Sequence, residues 1–442
     1  MRDESFLHAI IEEPDEDGHR LVYADWLEDE GDAPRAEFIR TQCRLEKVPH
    51  YDREWGELWD RQNALLEAHR EEWLMPFDGI EDSAPKKDRY TFIRGFVENV
   101  TLSSSGFLRH AEELFALTPI RRLSLVKFKT QFAKVLAHPC LPRVRDLLLL
   151  DMRLGETNFQ RLANAPALAS IRGLFLGYSD FDDNAARILA ASPHLEALED
   201  LNLCWTLVGD EGMAALAQSP RLSGLKTLKL LVTLMRDAGV GEIVRSSYWE
   251  GLKNLNLGSR FITARSAEAL ADSPHPPRLT TLDLELAKIG SVGLVALVNA
   301  PSLANLTELN IVANGIGEFG AHALAGSPYL RQLCELELSA NRIGTRGAIA
   351  LAASPILASL TFLDLAYCRI GPEGIEAIAA SPHLANLSYL KLGENKIGPA
   401  GAALADSPYL RNLKSLDLSH TPSLRKRDIA RLRDRFGEVL VV

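Results

Sequence analysis

A 27-residue period in the prolines constrains this chain more than any other feature. Pro408 follows Pro382 after 26 residues, and Ser247 fills the one grid point without a proline. A fixed period of a few tens of residues indicates a stack of structural repeats, which excludes a single globular core for this part of the chain. The other prolines on the grid are Pro139, Pro166, Pro193, Pro220, Pro274, Pro301, Pro328 and Pro355.

Each repeat has the same spacing of apolar residues. In the repeat that Pro301 opens, Leu309 and Ile311 alternate with polar residues, which predicts a short strand with both apolar side chains on one side. Ala and Leu at helical spacing follow, and a Ser-Pro pair ends the predicted helix. One repeat cannot bury its leucines alone, so stacking is required. The sequence therefore predicts an α/β fold in which strands line one side and helices the other.

The shared core, LxxLxLxxNxIG, resembles the leucine-rich repeat. The 27-residue length and the IGxxG…ALA segment resemble the ribonuclease-inhibitor-like subtype, over residues 97–442. This resemblance implies a leucine-rich-repeat solenoid, a horseshoe of about a dozen coils with parallel strands on the concave face, helices on the convex face and a cap at each end.

The Asn position of the repeat varies. Asn314, Asn341 and Asn395 can form a ladder of amide hydrogen bonds between coils, but Arg260 and Ala287 cannot. We therefore expect a weaker ladder between residues 233 and 287. The residues that replace asparagine are Ser179, Thr206, Thr233, Arg260, Ala287, Cys368 and Thr421.

The first 50 residues differ in charge from the rest. They contain 14 acidic and 6 basic residues, a net charge of -8, while the whole chain carries -10. Three short helices are predicted there, with Asp32 capping the third. The strings LVYADWLEDEGD and RAEFIRTQCRL resemble the repeat-companion domain of planctomycete proteins, which implies a bacterial lineage. We predict an acidic helical domain at 1–50, an amphipathic helix and linker at 51–96, with its flexible part at 78–90, and the solenoid with its caps at 97–442.

The motifs of common enzyme classes are absent. The sequence contains no GxxxxGK[ST], HExxH, GxSxG or CxxC. The acidic run at 13–17 has Ala24 where a calcium loop needs its twelfth-position acid. We expect no enzymatic activity, no cofactor and no metal. Five scattered cysteines, no secretory signal and no long apolar stretch predict a cytoplasmic protein that does not enter membranes.

The predicted concave face is rich in acids and aromatics. Stacked strands place equivalent residues about 5 Å apart, so the acids form close rows that a basic partner would relieve. Exposed aromatic residues beside charge are typical interface anchors. The alternative is that these acids only aid solubility. The predicted partner-binding residues are Phe175, Tyr178, Trp205, Asp283, Glu285, Glu308, Asn310, Glu335, Glu337, Phe362, Asp364, Tyr367, Tyr389, Lys391 and Asp417.

A basic patch lies between residues 121 and 145, where there is no acid. It favours docking of the acidic N-terminal segment or, alternatively, contact with an anionic ligand or a nucleic acid. A nucleic acid is disfavoured because the usual binding motifs are missing. The favoured function is a monomeric module that binds an unknown, basic protein; the alternative is an enzyme inhibitor or regulator in the manner of ribonuclease inhibitor. The patch comprises Arg121, Arg122, Lys127, Lys129, Lys134, Arg143 and Arg145.

Overall fold

The computed structural model describes residues 2–50, 52–85, 89–127, 131–150, 153–421 and 423–442. The chain divides into two compact units, with the boundary between Asn202 and Leu203. Each unit combines strands that follow one another in chain order with helices that alternate with them. The predicted fold class, a parallel-strand leucine-rich-repeat solenoid preceded by helices, is confirmed.

The first unit begins with four helices. They are α1 (Arg2–Glu12), α2 (Asp17–Asp29), α3 (Ala33–Leu45) and α4 (Arg53–Leu74). The predicted cap is present, since the Asp32 carboxylate accepts a hydrogen bond from the Arg35 N–H at 3.2 Å. Strands and helices then alternate through β1 (Tyr90–Ile93), β2 (Phe96–Ser103), α5 (Ser104–Leu117), β3 (Arg122–Val126), α6 (Phe132–Leu136), β4 (Asp146–Leu148), α7 (Gly155–Ala163), β5 (Gly173–Phe175), α8 (Asp183–Ala190) and β6 (Asp200–Asn202).

A hairpin that the sequence did not predict opens the sheet of the first unit. β1 pairs antiparallel with β2, and β2 to β6 are parallel. The other edge of β1 is covered by the head, the name we give to helices α1 to α4. Gln42 of α3 and Arg70 of α4 donate to the Phe92 and Tyr90 carbonyls at 3.2 and 2.9 Å. Covering an edge strand prevents its pairing with another chain. Helices α3 and α4 therefore act as a cap of the sheet.

Gly95 permits this close packing. Its φ of 86° lies in the left-handed region, and a Cβ there would come within 2.4 Å of the Ile39 side chain of α3.

Part of the predicted flexible connection is held in place. Arg89 donates to the carbonyls of Ile80, Asp82 and Ala84, and the Asp82 carboxylate accepts from the Ser103 N–H and hydroxyl. Ile80 and Ala84 are buried. These contacts hold Ile80, Asp82, Ala84 and Arg89 within the first unit, while residues 86–88 of the predicted flexible connection lie outside the described part of the chain.

The second unit repeats one coil. Each three-residue strand has a buried central leucine, as Leu309 is in β10, and equivalent leucines are register partners on adjacent parallel strands. Its elements are α9 (Asp210–Ala217), β7 (Thr227–Lys229), α10 (Asp237–Arg245), β8 (Asn254–Asn256), α11 (Ala264–Ala271), β9 (Thr281–Asp283), α12 (Gly290–Val298), β10 (Glu308–Asn310), α13 (Glu318–Ala325), β11 (Glu335–Glu337), α14 (Gly344–Ala352), β12 (Phe362–Asp364), α15 (Pro372–Ala379), β13 (Tyr389–Lys391), α16 (Gly401–Asp406), β14 (Ser415–Asp417), α17 (Lys426–Phe436) and β15 (Leu440–Val441).

The predicted amide ladder is present. The Asn341 side chain donates to the Ile311 carbonyl of the preceding coil at 2.8 Å and accepts from the Asn314 and Ile316 N–H groups. Asn395 makes the same set of bonds with the coil before it. Its amide donates to the Leu365 carbonyl and accepts from the Cys368 and Ile370 N–H groups. At Thr233 the expected weakness is present, because the buried Thr233 hydroxyl has no hydrogen-bond partner among the described residues.

The assignment of Arg260 to the ladder is wrong. Arg260 is exposed, and the preceding residue, Ser259, is buried in its place. The Ser259 hydroxyl lies 3.4 Å from the Thr233 carbonyl and accepts from the Phe261 N–H, as Ser179 does for Phe181. A serine reaches the backbone where an arginine would have to bury a charge, so the turn shifts by one residue.

The predicted C-terminal helix is α17. Its Leu432 is buried, and its buried Asp428 pairs with Arg425. The short strand β15 follows it and pairs with β14, an element that the sequence did not predict.

Candidate functional site

The first and third residues of each strand from β7 to β14 form two rows in the second unit, which we call the strand face. They lie on either side of the buried leucine and are, with the exception of Asp364, partly or fully exposed. The first-position row is Thr227, Asn254, Thr281, Glu308, Glu335, Phe362, Tyr389 and Ser415. The third-position row is Lys229, Asn256, Asp283, Asn310, Glu337, Asp364, Lys391 and Asp417.

Acids meet in the middle of the strand face. Glu308 is the register partner of Glu335, and Glu337 is the register partner of Asp364. Like charges directly opposite each other on adjacent strands are destabilising. Burial, and then the neighbouring Asp364, raise the pKa of Glu337 above its usual value. The structure therefore brings four of the predicted acids together on adjacent strands.

Three of the predicted acids also stabilise the local backbone. The carboxylates of Asp283, Asp364 and Asp417 each accept a hydrogen bond from the N–H two residues further on, at 2.8 to 2.9 Å. Asn256 and Asn310 make the same bond at the same position. Asp and Asn side chains favour such local turns. At the third strand position, the hydrogen bond to the backbone N–H therefore favours Asp or Asn, which the sequence pattern did not reveal.

Asp283 has a second hydrogen-bond partner. Its second carboxylate oxygen accepts from the Asn256 amide at 2.7 Å. Burial nevertheless raises the pKa of Asp283, with Glu285 adding to the effect. Glu285 itself lies just beyond β9 and donates its N–H to Asp283.

Lys391 of β13 already places a cationic side chain against the strand face. The Lys391 ammonium lies 3.7 Å from the Asp364 carboxylate and 5.0 Å from the centre of the Phe362 ring. The Phe362 and Tyr389 rings are 6.1 Å apart. Carboxylate and aromatic ring together favour an ammonium group, so the contact shows which chemistry this surface accommodates.

The remaining predicted aromatics lie elsewhere. Tyr178, Trp205 and Tyr367 are exposed in the turns after β5, β6 and β12, and each has a left-handed φ between 55° and 59°. Such a φ is uncommon for a bulky residue. Phe175 lies in β5 of the first unit, where the Arg122 guanidinium sits 5.6 Å from its ring.

The predicted basic patch lies in the first unit and is largely paired. Arg121 binds Asp15 at 2.8 Å, Arg145 is 4.0 Å from the same carboxylate, and Arg122 binds Asp146 at 3.1 Å. Arg143 lies over the Phe115 ring, and Lys127 donates to the Ser83 carbonyl. Lys134 is exposed on α6, and Lys129 lies outside the described residues. The predicted contact between the acidic head and this patch is therefore present through Asp15.

A buried ion-pair network joins the head to β2, and no motif or spacing in the sequence indicated it. Arg20 of α2 is fully buried and donates to Glu98 at 2.6 Å. Arg94 binds the other oxygen of Glu98 at 2.8 Å and lies 3.4 Å from Asp17, which also binds Lys47. A buried charge requires such partners. The network fixes the orientation of α2.

The cysteines are poorly suited to nucleophilic catalysis. All five are free. Burial raises the pKa of the Cys43 and Cys368 thiols to about 12 and raises those of Cys140, Cys204 and Cys334 as well. A reactive cysteine needs a lowered pKa.

The fold defines a repeat protein in which each coil of a regular stack supplies one strand and one helix. Residues 275–298, 331–352, 357–379 and 383–404 match a family model described as Leucine Rich repeat. The second unit therefore contains leucine-rich repeats. No curated protein matches it significantly.

Three solved structures are similar to this chain. The complex of Rad7 and Elc1 from yeast is 16% identical over 91% of this chain and 93% of that chain, with a TM-score of 0.47. An internalin (inlF) from Listeria monocytogenes is 18% identical over 68% and 91%, with a TM-score of 0.42. The TLR13–ssRNA13 complex is 17% identical over 70% of this chain but only 44% of that chain, with a TM-score of 0.41. At these scores the likenesses carry no argument about function.

Among the described residues, no helix combines the length and the apolar character that crossing a bilayer requires.

Proposed function

We propose that this chain is a non-enzymatic protein-binding module whose strand face holds a basic partner. The observation that carries the proposal is the placement of Glu308, Glu335, Glu337 and Asp364 on adjacent strands, where burial and the neighbouring Asp364 disfavour the charged form of Glu337. A lysine or arginine from a partner would supply the compensating charge and displace water from this surface.

The rigid stack supports the same proposal. Equivalent residues are held in register by main-chain bonds between coils, such as Leu309 opposite Leu336. A pre-arranged surface loses little conformational entropy on binding.

The finer assignments form part of the proposal. We infer a cytoplasmic protein, supported by five free cysteines, three of them buried. The bacterial lineage and the monomeric state remain predictions from the sequence. Membership of the ribonuclease-inhibitor-like subtype and of the planctomycete repeat-companion type, and the domain boundaries at residues 50 and 96, remain predictions from the sequence. Inhibition or regulation of an enzyme would use the same face.

The test is charge reversal on the strand face. Because Asp283 and Asp364 also hold the backbone, the sharper variant is Glu308→Lys, Glu335→Lys and Glu337→Lys. Its matched control is Glu268→Lys, Glu373→Lys and Glu376→Lys, which reverses three exposed acids on helices. A pull-down from the source organism compares both with the wild type.

We expect the strand-face variant to lose basic partners that the helix control retains, with the loss increasing at low salt. If both variants retain the same partners, or lose them equally, the strand face is not the binding surface. Reversal of Lys127 and Arg145 tests the alternative of an anionic ligand at the basic patch.

A further inference from the structure

Eight described residues of the second unit share one position in successive coils, six residues after the central leucine of the strand. The first three are apolar and four of the rest are basic, with Gly315 between them. We call Lys288, Arg342, Arg369 and Lys396 the basic ridge, and Leu207, Leu234 and Phe261 its apolar end. Neither belongs to the strand face.

Main-chain bonds hold this row at sheet spacing. The Lys288, Arg342 and Lys396 N–H groups donate to the carbonyls of Ile262, Ile316 and Ile370, the residues one coil earlier, at 2.7 to 2.9 Å. Leu234 makes the same bond to Val208 at 3.0 Å. Adjacent coils are therefore about 5 Å apart here, and the basic ridge spans roughly 19 Å.

The four cations are exposed, and the described residues provide none of them with an ion-pair partner. Two positions before the four cations lie Leu286, Ala340, Tyr367 and Glu394, of which only Glu394 is acidic. The Glu394 carboxylate accepts a hydrogen bond from the Tyr367 hydroxyl. This differs from the basic patch at 121–145, whose arginines are mostly paired. A row of unpaired cations on a chain of net charge -10 is a local reversal of sign.

Two residues of the apolar end are exposed, and Phe261 is half-buried. Leu207 and Leu234 are 53% and 49% exposed, which is unusual for leucines in this molecule. The Phe261 ring is flanked by the guanidinium groups of Arg236 and Arg260, at 5.4 and 5.3 Å. Apolar and cationic groups thus continue in one line.

We propose that the basic ridge and its apolar end bind an acidic peptide segment of a partner protein that carries large apolar residues at one end. An extended peptide places alternate side chains about 7 Å apart, within reach of arginine and lysine side chains on coils about 5 Å apart. A nucleic acid fits less well, because two guanidinium groups already occupy the Phe261 ring and the leucines offer nothing to a phosphate backbone. This surface is separate from the strand face, so neither proposal depends on the other.

The experiment measures fluorescence anisotropy of a labelled peptide, Leu-Phe-Ser-Leu followed by four Glu-Ser pairs, titrated with the full chain. The test variant is Lys288→Glu with Arg369→Glu. The matched control is Arg331→Glu with Arg346→Glu, which changes the net charge equally at two exposed arginines outside the row. A milder variant, Lys288→Met with Arg369→Met, removes charge without reversing it, and circular dichroism checks that every variant is folded.

The wild type should bind the peptide, with weaker binding at high salt. The Glu variant should weaken binding at least tenfold, the Met variant by less, and the control by under twofold. A Leu207→Ser and Leu234→Ser variant should weaken binding more than Val292→Ser with Phe319→Ser, which alters exposed helix residues. The proposal is overturned if the wild type does not bind, if test and control variants lose affinity equally, or if a twelve-residue oligothymidylate binds this row more tightly than the peptide.

Discussion

At the scale of single residues, the position in the repeat decides what a side chain does. The Asn position faces the backbone of two coils, so an amide there satisfies buried carbonyl and N–H groups that a hydroxyl reaches only in part. The third strand position holds either a turn-forming Asp or Asn or a side chain directed to solvent. Asparagines at the two positions, such as Asn310 and Asn314, therefore have different roles.

Asn341→Ala should destabilise the protein by about 1–3 kcal/mol, because it leaves buried backbone groups without partners. Thr233→Val is the matched control, since the Thr233 hydroxyl already has no partner among the described residues, and it should be neutral or stabilising. Urea unfolding followed by circular dichroism measures both. Equal losses for the two variants would show that the ladder does not act through hydrogen bonds.

Glu337→Gln should raise the free energy of unfolding by about 0.5 kcal/mol near neutral pH, because it removes a charge opposite Asp364. The raised pKa of Glu337 means that the folded state binds this proton more tightly than the unfolded state. The wild type therefore loses stability as pH rises from the usual pKa of glutamate through the raised one. The variant lacks this loss, so the difference should disappear at acidic pH. A difference that persists unchanged at pH 3 would contradict the assignment.

At the scale of elements, the head helices complete the fold of the first unit. Helices α3 and α4 cover the edge of β1, and α2 is held by the buried pair of Arg20 and Glu98. A sheet edge left open is prone to pairing with other chains. The head therefore protects the edge of the sheet.

Glu98→Leu should cost about 3–5 kcal/mol, because it leaves Arg20 buried without its acid. The double variant Arg20→Met with Glu98→Leu should recover most of that loss, since both charges are then absent. Chemical unfolding of the wild type, both single variants and the double variant gives the coupling between the two residues. Additive losses would mean that the two residues do not act as a pair.

At the scale of the whole molecule, stability is distributed along a stack. In the second unit each coil pairs its strand with those of its two neighbours, as β10 does with β9 and β11. The energetics of such a protein are close to a sum over coils and their interfaces. Whole coils should therefore be removable, while parts of coils should not.

Deletion of residues 328–354, one complete period, should leave a folded protein with reduced stability, because Ala325–Gly326–Ser327 then leads into Pro355 with the period intact. Deletion of residues 328–341, half a period, is the control and should abolish cooperative unfolding. Circular dichroism and thermal unfolding distinguish the two. Equal damage by both deletions would mean that the second unit is not modular.

Much of the second unit could be predicted from the sequence, because the leucine spacing that defines each coil lies within one short segment of the chain. Leucine spacing dictates which side chains must be buried, and the constant period places equivalent residues opposite each other, so Glu337 and Asp364 could be predicted as neighbours. The β1–β2 hairpin was missed because it stands outside the period. The shift from Arg260 to Ser259 was missed because it depends on which side chain can bond the preceding coil.

The sequence by itself thus determined the class of fold, the register of the coils and the identity of the rows, since all three follow from periodic burial. Only the tertiary structure decided which charges are paired. Asp15 with Arg121 and Arg20 with Glu98 are each far apart in the chain and meet through packing. Because desolvation and pairing set the energy of a charge, the same packing leaves Lys288, Arg342, Arg369 and Lys396 exposed and without an ion-pair partner among the described residues.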